Sequence, residues 1–594
     1  MQDRYLPRLS VAAASLLLPL TVGAQELARL DPIVVTPTLS VRSVDQSLSS
    51  VTVIDREQLD RQQPRELSDI LRGQPGVDVT TSGAFGKNTS VFMRGTGSES
   101  TLLMLDGIRM GSVTSGGASW QFLPPQLLGR VEIVRGPRSS LYGSDAVGGV
   151  VQVFSPESEG DARPWFQFGG GSFSSREYSA GLSGSKDGTA YSFGHSYFQT
   201  DGIALREGGE DKGYRNASAL GRLSHTFEQG TRIGLTAFRS QGNSEFDGGE
   251  TDFVNQAMGT TLETPVSQHW LSTLHLSESR DESDSFQTSF SRFDTKRHMA
   301  SWQNALYLGP HEWILGADFR RDRVDSTTDF DETRRDNTGV FSQVFLDVAP
   351  VDVQLSLRWD DNEAYGEEVT GAAAVGYALD SVHRLRVSYG TAFRAPTFND
   401  LYFPGFGNPD LNPERSRTAE VGISARQENW FWDLAVYQTE VDDLILFVFP
   451  APQNVDEARI RGAELSAGLS AGAWSAAGAM TFTDPRDRDT DNRLRRRSTQ
   501  SLRLDIDRQL GRWSVGATSL LQGDRYDDAA NENRLPGFGL LNLRVGWEFA
   551  ENWSAQLTLD NVLDKDYAVA RFFDGDQYQQ AGRNGFLSVR YGTR

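Results

Sequence analysis

Histidine is the side chain most often recruited as general base or metal ligand near neutral pH, and this chain of 594 residues has seven, at 195, 225, 269, 275, 298, 311 and 383. They are scattered, no HExxH pair occurs, and no phosphate-binding loop accompanies them. Cysteine is absent, which removes disulfides, thiolate metal sites and thiol catalysis together. Enzymatic chemistry is therefore not expected. Two other constellations stand out. Arg94 in "FMRG" and Arg135 in "EIVRGPR" place guanidinium groups among short apolar strands, where an unpaired charge is costly. The stretch "DPIVVTPT" (31–38) sets three β-branched residues, Ile33, Val34 and Val35, between Pro32 and Pro37. Such residues favour extended backbone, yet "SVRSVDQSLSS" downstream offers no tight turn for a hairpin, so the strand is read as lacking a partner nearby.

The elements that must position these groups fall into two regimes. Arg4 and Arg8, the apolar run Val11 to Val22 and the small residues of Val22-Gly23-Ala24 predict a signal peptide over 1–24, with the mature chain starting at Gln25. Residues 41–157 read as a mixed α/β domain: a strand at Val51 to Ile54, helices around Arg56 to Arg61 and Arg65 to Leu71, then short strands punctuated by glycine. In the second helix Leu67, Ile70 and Leu71 share one face. From 158 to 594 the texture becomes long alternation. In "LNLRVGWEF", Leu541, Leu543, Val545, Trp547 and Phe549 oppose Asn542, Arg544, Gly546 and Glu548, and only "AEN" separates this stretch from "WSAQLTLD", which predicts a hairpin.

Mean hydropathy is −0.43 and no later stretch is long and apolar enough for a spanning helix. Those two facts leave a soluble protein or a closed transmembrane barrel, whose alternating strands average to a polar composition. Strands joined alternately by short turns and by long polar stretches such as 201–216, 242–256 and 571–583 favour the barrel. At roughly 20 residues per strand and connection, the region holds about 22 strands, enough to enclose a wide lumen that another domain must plug. The net charge of −21 argues against nucleic acid as a partner.

The chain resembles the TonB-dependent outer-membrane receptors. "DPIVVTPT" resembles their TonB box; "FMRG" (92–95) and "VEIVRGPRSSLYGSDAVGGVVQV" (131–153) resemble their plug signatures; "YGTAFRAPTFNDLY" with "GNPDLNPERS" resembles their barrel signature between 389 and 416. The resemblance implies a β-barrel in the bacterial outer membrane, in contact with its lipid, with an N-terminal α/β plug inside, acting as a monomer. TonB, driven by an inner-membrane complex, would engage residues 31–38, with Asp31, Pro32, Ile33, Val34, Val35, Thr36 and Pro37 as the box and 25–40 as box and linker. By the same resemblance Arg94 and Arg135 face two lumenal glutamates, Glu420 in "RTAEVG" and Glu464 in "RGAELS".

Within the family the chain is more similar to the cobalamin receptors, in its plug run, in its length and in the C-terminal "YQQAGRNGFLSVRY". That implies cobalamin as the transported ligand, with Thr114, Ser115 and Tyr578 at ligand-contacting positions, and calcium in the extracellular loops. Asp201, Glu210, Asp211, Asp247 and Asp252 fall in comparable stretches, and oxygen-rich loops suit a hard cation. "LREGGEDKG" departs from the closely spaced aspartates usual there. A ferric siderophore, carried by other members of the family, is the alternative ligand. A passive porin would need neither plug nor energy-coupling segment.

Overall fold

The computed structural model describes residues 33–34, 36–157, 160–448 and 450–592. The predicted signal segment and Asp31, Pro32 and Val35 of the box lie outside the described residues. Alternation along the chain resolves into a closed antiparallel barrel of 22 strands, from Arg163–Gly171 to Asn584–Tyr591. The last strand pairs back on the first, Tyr591 opposite Phe166 and Phe586 opposite Gly171, so no edge is left open. Period two sends apolar side chains outward: Val545 and Trp547 are 40% and 43% exposed, whereas Arg544, next to Val545, is buried toward the lumen. The "AEN" hairpin registers Val545 on Leu557 and Trp547 on Ala555.

On one rim the connections are two to five residues long. Asp187 and Gly188 show why such a turn is tight, since both take positive φ, as a two-residue hairpin of matching twist requires. Strands starting at Trp270, Trp430, Trp474, Trp513 and Trp553 each follow one of these turns directly. Indole rings prefer a membrane interface, apolar body inward and N–H outward, so this rim sits at a bilayer surface. The opposite rim carries the long connections 395–413, 488–499, 523–537 and 561–583. Among the described residues no helix is long and apolar enough to cross a membrane.

Two of the long polar stretches are not loops. Thr189–Ala204 and Asp211–Thr226 pair almost to their tips, and Arg232–Phe246 turns into Gly249–Ser267 within two residues. Strands of this length outrun the roughly 25 Å apolar band. Beyond it both faces meet water, so a paired strand has the polarity of a loop.

Inside the barrel, a five-stranded sheet runs in the order 51–54, 130–135, 149–154, 101–105 and 108–110, with 101–105 and 149–154 parallel and the other pairs antiparallel. A separate hairpin pairs Val77–Thr81 with Thr89–Met93. Asp55 caps the helix Arg56–Gln62 by accepting from Gln58 N–H, satisfying one of its free donors. The second helix starts later than predicted, at Leu67, because Asp69 accepts from the Glu66 N–H and fixes Glu66 as its N-cap. Leu67, Ile70 and Leu71 are buried with Val77, Val79, Val91 and Trp120 in a core completed by Trp165, Leu220, Phe238 and Ala257 of the barrel wall. The inner domain therefore encloses a core of its own that the barrel wall closes on one side.

Candidate functional site

The strand Thr89–Met93 ends at Arg94, whose φ of 52° turns its side chain sharply toward the wall. Arg94 is 1% exposed. Its Nη1 donates to Glu420 Oε2 at 2.6 Å, and its Nε and Nη2 donate to the two oxygens of Glu464 at 2.9 and 3.1 Å. Arg135 Nε lies 3.0 Å from Glu464 Oε2, and Arg135 Nη1 donates to Thr52 Oγ1 at 2.7 Å. All four charged residues named from the sequence meet at one buried point. Tyr437, on the strand between the two glutamates, lays its ring 4.3 Å from the Arg94 guanidinium. Glycine is required beside them: a Cβ on Gly76, at φ 67°, would sit 2.1 Å from Glu464 Oε1.

A second charged network was missed. Arg358 donates to Asp318 at 2.7 and 2.9 Å and to both oxygens of Asp360 at 2.7 Å. Asp322 accepts from Arg297 at 2.7 Å and has Arg320 and Arg335 within 3.7 Å. The inner domain docks here through Ser144, whose Oγ accepts from Arg320 at 3.1 Å, and Ser140, whose Oγ is 2.7 Å from that of Ser356. The signal was the spacing of Asp318, Arg320 and Asp322, and of Arg358 and Asp360: charges two apart on strands whose other face is apolar.

On the far side, beside the strands from Gln500 to Asp560, a cavity of 190 Å³ separates inner domain and wall, lined by Glu66, Arg72, Arg503, Thr518, Thr558 and Tyr567 among others. Glu66 accepts from Gly86 N–H, and burial, with Asp69 adding, pushes its carboxyl up to about 7. Nearby, burial brings the Lys87 amine down to about 8, although its Nζ donates to the carbonyls of Phe85, Lys212 and Gly213.

At the long-loop rim, loop 395–413 folds inward over the apex at 112–116. Phe398 N–H donates to Val113 O and Asn399 N–H to Thr114 O. Thr114 is thereby buried, whereas Ser115 is exposed. Tyr578 stacks on Phe572 with ring centroids 3.7 Å apart. The expected calcium set does not converge: among the described residues no three carboxylates or imidazoles are grouped to hold a metal. Asp247 instead accepts from Arg206 Nε at 2.5 Å, Glu210 lies 3.8 Å from Lys212, Asp252 accepts from Asn243, and Asp201 and Asp211 sit on the two strands flanking loop 205–210.

The opening stretch differs from its reading as well. Ile33 and Val34 pair with Ser43 and Arg42 in a two-residue antiparallel ladder. No turn signature was needed, because the loop between is held from outside. Thr36 donates its N–H and Oγ1–H to Glu132 Oε2 at 3.0 and 2.6 Å and accepts at its carbonyl from Tyr142 Oη–H at 2.9 Å. Gln343 and Gln303 donate to the carbonyls of Thr38 and Leu39, and Arg42 pairs with Glu312 while lying over the Phe345 ring.

The pentapeptide GLSAG at 468–472, not singled out above, spells a serine-nucleophile pattern, but it closes the strand Ala451–Ala471 and turns into Trp474–Asp487. The strand-to-helix elbow that such a nucleophile needs is not there.

Residues 137–562 match the family described as TonB dependent receptor-like, beta-barrel, and residues 43–150 match the TonB-dependent Receptor Plug Domain. The chain belongs to the TonB-dependent receptors: an outer-membrane protein that crosses by strands, and not an enzyme. It is 31% identical over 590 residues to a vitamin B12 transporter BtuB of Photobacterium profundum, covering 95% of this chain and 97% of that protein. A vitamin B12 transporter BtuB of Vibrio vulnificus is 29% identical over 98% of this chain and 99% of its own length. Among solved structures, the ferric enterobactin receptor PfeA of Pseudomonas aeruginosa superposes with a TM-score of 0.80 at 18% identity, over 91% of this chain and 99% of that one. The siderophore receptor PirA of Acinetobacter baumannii gives 0.80 at 20% identity, over 91% and 98%. At such identities these two likenesses speak for the fold.

Proposed function

We propose that this receptor imports cobalamin across the outer membrane, with TonB pulling on residues 31–38. The observation that carries the reading is the near full-length similarity to two vitamin B12 transporters. Ligand would be caught at the long-loop rim, against Ser115 at the inner apex and Tyr578 on the last loop, with Thr114 reached once loop 395–413 lifts. The buried Arg94, Arg135, Glu420 and Glu464 cluster keeps the plug seated while ligand is absent, since an isolated charge there would be strongly destabilising. An extended box fits TonB because a strand added to the edge of another protein's sheet gains main-chain hydrogen bonds, and flanking prolines confine that strand to a short core. Glu132 and Tyr142 hold Thr36 at rest, so the box must leave the plug before a partner can take it.

A ferric siderophore is the second reading, favoured by the fold of the enterobactin and PirA receptors. Titration of the purified receptor with cyanocobalamin and, separately, with ferric enterobactin decides between them: cyanocobalamin is expected to bind at or below micromolar, and failure to do so sinks the first reading. Val34→Pro is expected to abolish uptake while leaving surface affinity for cyanocobalamin unchanged. Loss of both would make Val34 a structural strand residue of the plug.

A further inference from the structure

The last long loop and its neighbours are gathered on one guanidinium. Arg206, in loop 205–210, reaches Asp247 at 2.5 Å in the turn 247–248, and Asp574 and Asp576 at 2.8 and 2.5 Å in loop 561–583. Its Cζ also lies 3.7 Å from the centre of the Phe572 ring, and Tyr578 stacks on that same ring at 3.7 Å. Two planar groups cannot share one face at that spacing, so Phe572 is sandwiched between guanidinium and phenol. The backbone closes the arrangement. Gln579 N–H donates to Leu205 O at 3.0 Å, Tyr578 N–H to Ala570 O at 3.1 Å, and Gly575 N–H to Phe572 O at 3.0 Å. The turn 572–575 so formed holds Phe573 out from the rim with its side chain wholly in solvent, at 110% of its reference exposure. Phe573 therefore buries no apolar area within the chain and is free to meet a ligand at the mouth.

We propose that Arg206 is the positioning cation of the receptor's mouth: it draws loops 205–210, 247–248 and 561–583 together and so presents Phe573 and Tyr578 to a ligand with an extended apolar face. It does with a tethered charge what a bound divalent cation would otherwise do. Three carboxylates converging on one point repel each other without a cation, and a guanidinium offers several donors in a fixed plane plus a face for an aromatic ring. The ligand class rests on the cobalamin reading above; the loop-gathering role does not.

The test separates the two. Cyanocobalamin affinity, maximal uptake rate and amide exchange of residues 570–579 are measured for the wild type and for Arg206→Met and Arg206→Lys, in chelator and in millimolar calcium. Wild-type affinity is expected to be the same in both buffers. Arg206→Met in chelator should bind about tenfold more weakly, the sum of several partly exposed ion pairs, with faster exchange over 570–579 in the absence of ligand and an unchanged maximal rate. Arg206→Lys should keep most of the wild-type affinity in both buffers, because a positive charge still meets Asp247, Asp574 and Asp576, and calcium should not restore Arg206→Met, since among the described residues no three carboxylates are grouped to hold a metal. Binding by Arg206→Lys as weak as that of Arg206→Met would make the role one of packing against Phe572 and overturn the proposal. So would a wild type that needs calcium, an Arg206→Met that binds normally in chelator, or weakened binding without faster exchange. If the wild type binds no cyanocobalamin at all, the cobalamin reading fails, while the exchange measurement still decides whether Arg206 gathers the loops.

Discussion

The plug meets its barrel in two different ways. Against the wall built from residues 290–464 it is held by buried charges: Arg94 and Arg135 on Glu420 and Glu464, and Ser140 and Ser144 against a lattice of arginines and aspartates. Against the wall from 500 to 560 ion pairs also cross, Arg65 on Asp560 and Arg525 on Asp78, but here the hydrogen bonds of Arg503 to the carbonyls of Asp69 and Arg72 border a polar cavity. Buried pairs in a lumen are directional and expensive to break singly. Contacts lining a cavity can exchange protein partners for water at little cost. The plug is thus clamped on both walls but borders the 190 Å³ cavity on only one of these two, so movement under load starts beside the cavity.

The largest effect is expected at the buried cluster. Arg94→Leu removes the cation shared by the two buried glutamates, leaving Glu464 to Arg135 and Glu420 to Arg386 and Ser50, at a cost of about 3–5 kcal/mol. Thermal unfolding of the purified receptor should shift down accordingly, and cells carrying it should admit a bulky antibiotic that the wild type excludes; unchanged melting would remove the clamp from the account. A second pair of variants compares the walls. Arg358→Met strands two buried carboxylates, Asp318 and Asp360, for about 4 kcal/mol, whereas Arg503→Met strands Asp505 alone and gives up carbonyl bonds that water in the cavity replaces, for about 3 kcal/mol. Equal losses in denaturant titrations would erase the distinction.

The smallest effect is on pH. Glu66 borders the cavity with its folded value raised to about 7 from an ordinary 4.5. A carboxyl raised in the folded state holds its proton more tightly there than when unfolded. Its contribution to stability is complete below 4.5 and is lost as pH rises through about 7. Glu66→Gln should therefore melt like the wild type at low pH and above it at pH 8, and parallel profiles would show that Glu66 does not titrate in that window.

Much of this arrangement can be read from the residues, for physical reasons that also mark where reading stops. Period-two alternation announced the barrel because the bilayer enforces it on every strand. Arg94 and Arg135 were conspicuous because charges are rare among apolar plug strands. Asp318, Arg320, Asp322 and Arg358 were not, because an ion pair facing the lumen and a pair of solvated charges look alike along a strand, and the partners lie on strands far apart in sequence. Residues 201–216 and 242–256 looked like loops because a strand standing clear of the membrane is wet on both faces. Asp247 looked like a metal ligand because nothing local reveals that Arg206 would reach it.

The two-residue ladder joining Ile33 and Val34 to Ser43 and Arg42 has a mechanical consequence. Tension applied from the N-terminal side of a hairpin opens its pairs one after another, as a zip opens, and never loads them all at once. A small force sustained over a short distance is then enough to undo it. The next bonds that such a force meets are those of Thr36 to Glu132 and Tyr142. Tyr142 stands two residues from Ser144 and Ser140, which are seated on the charged wall. The pull thus passes from its weakest fastening to its strongest through a short run of backbone and one tyrosine hydroxyl, and the order in which the fastenings give way is set by the direction of the tug.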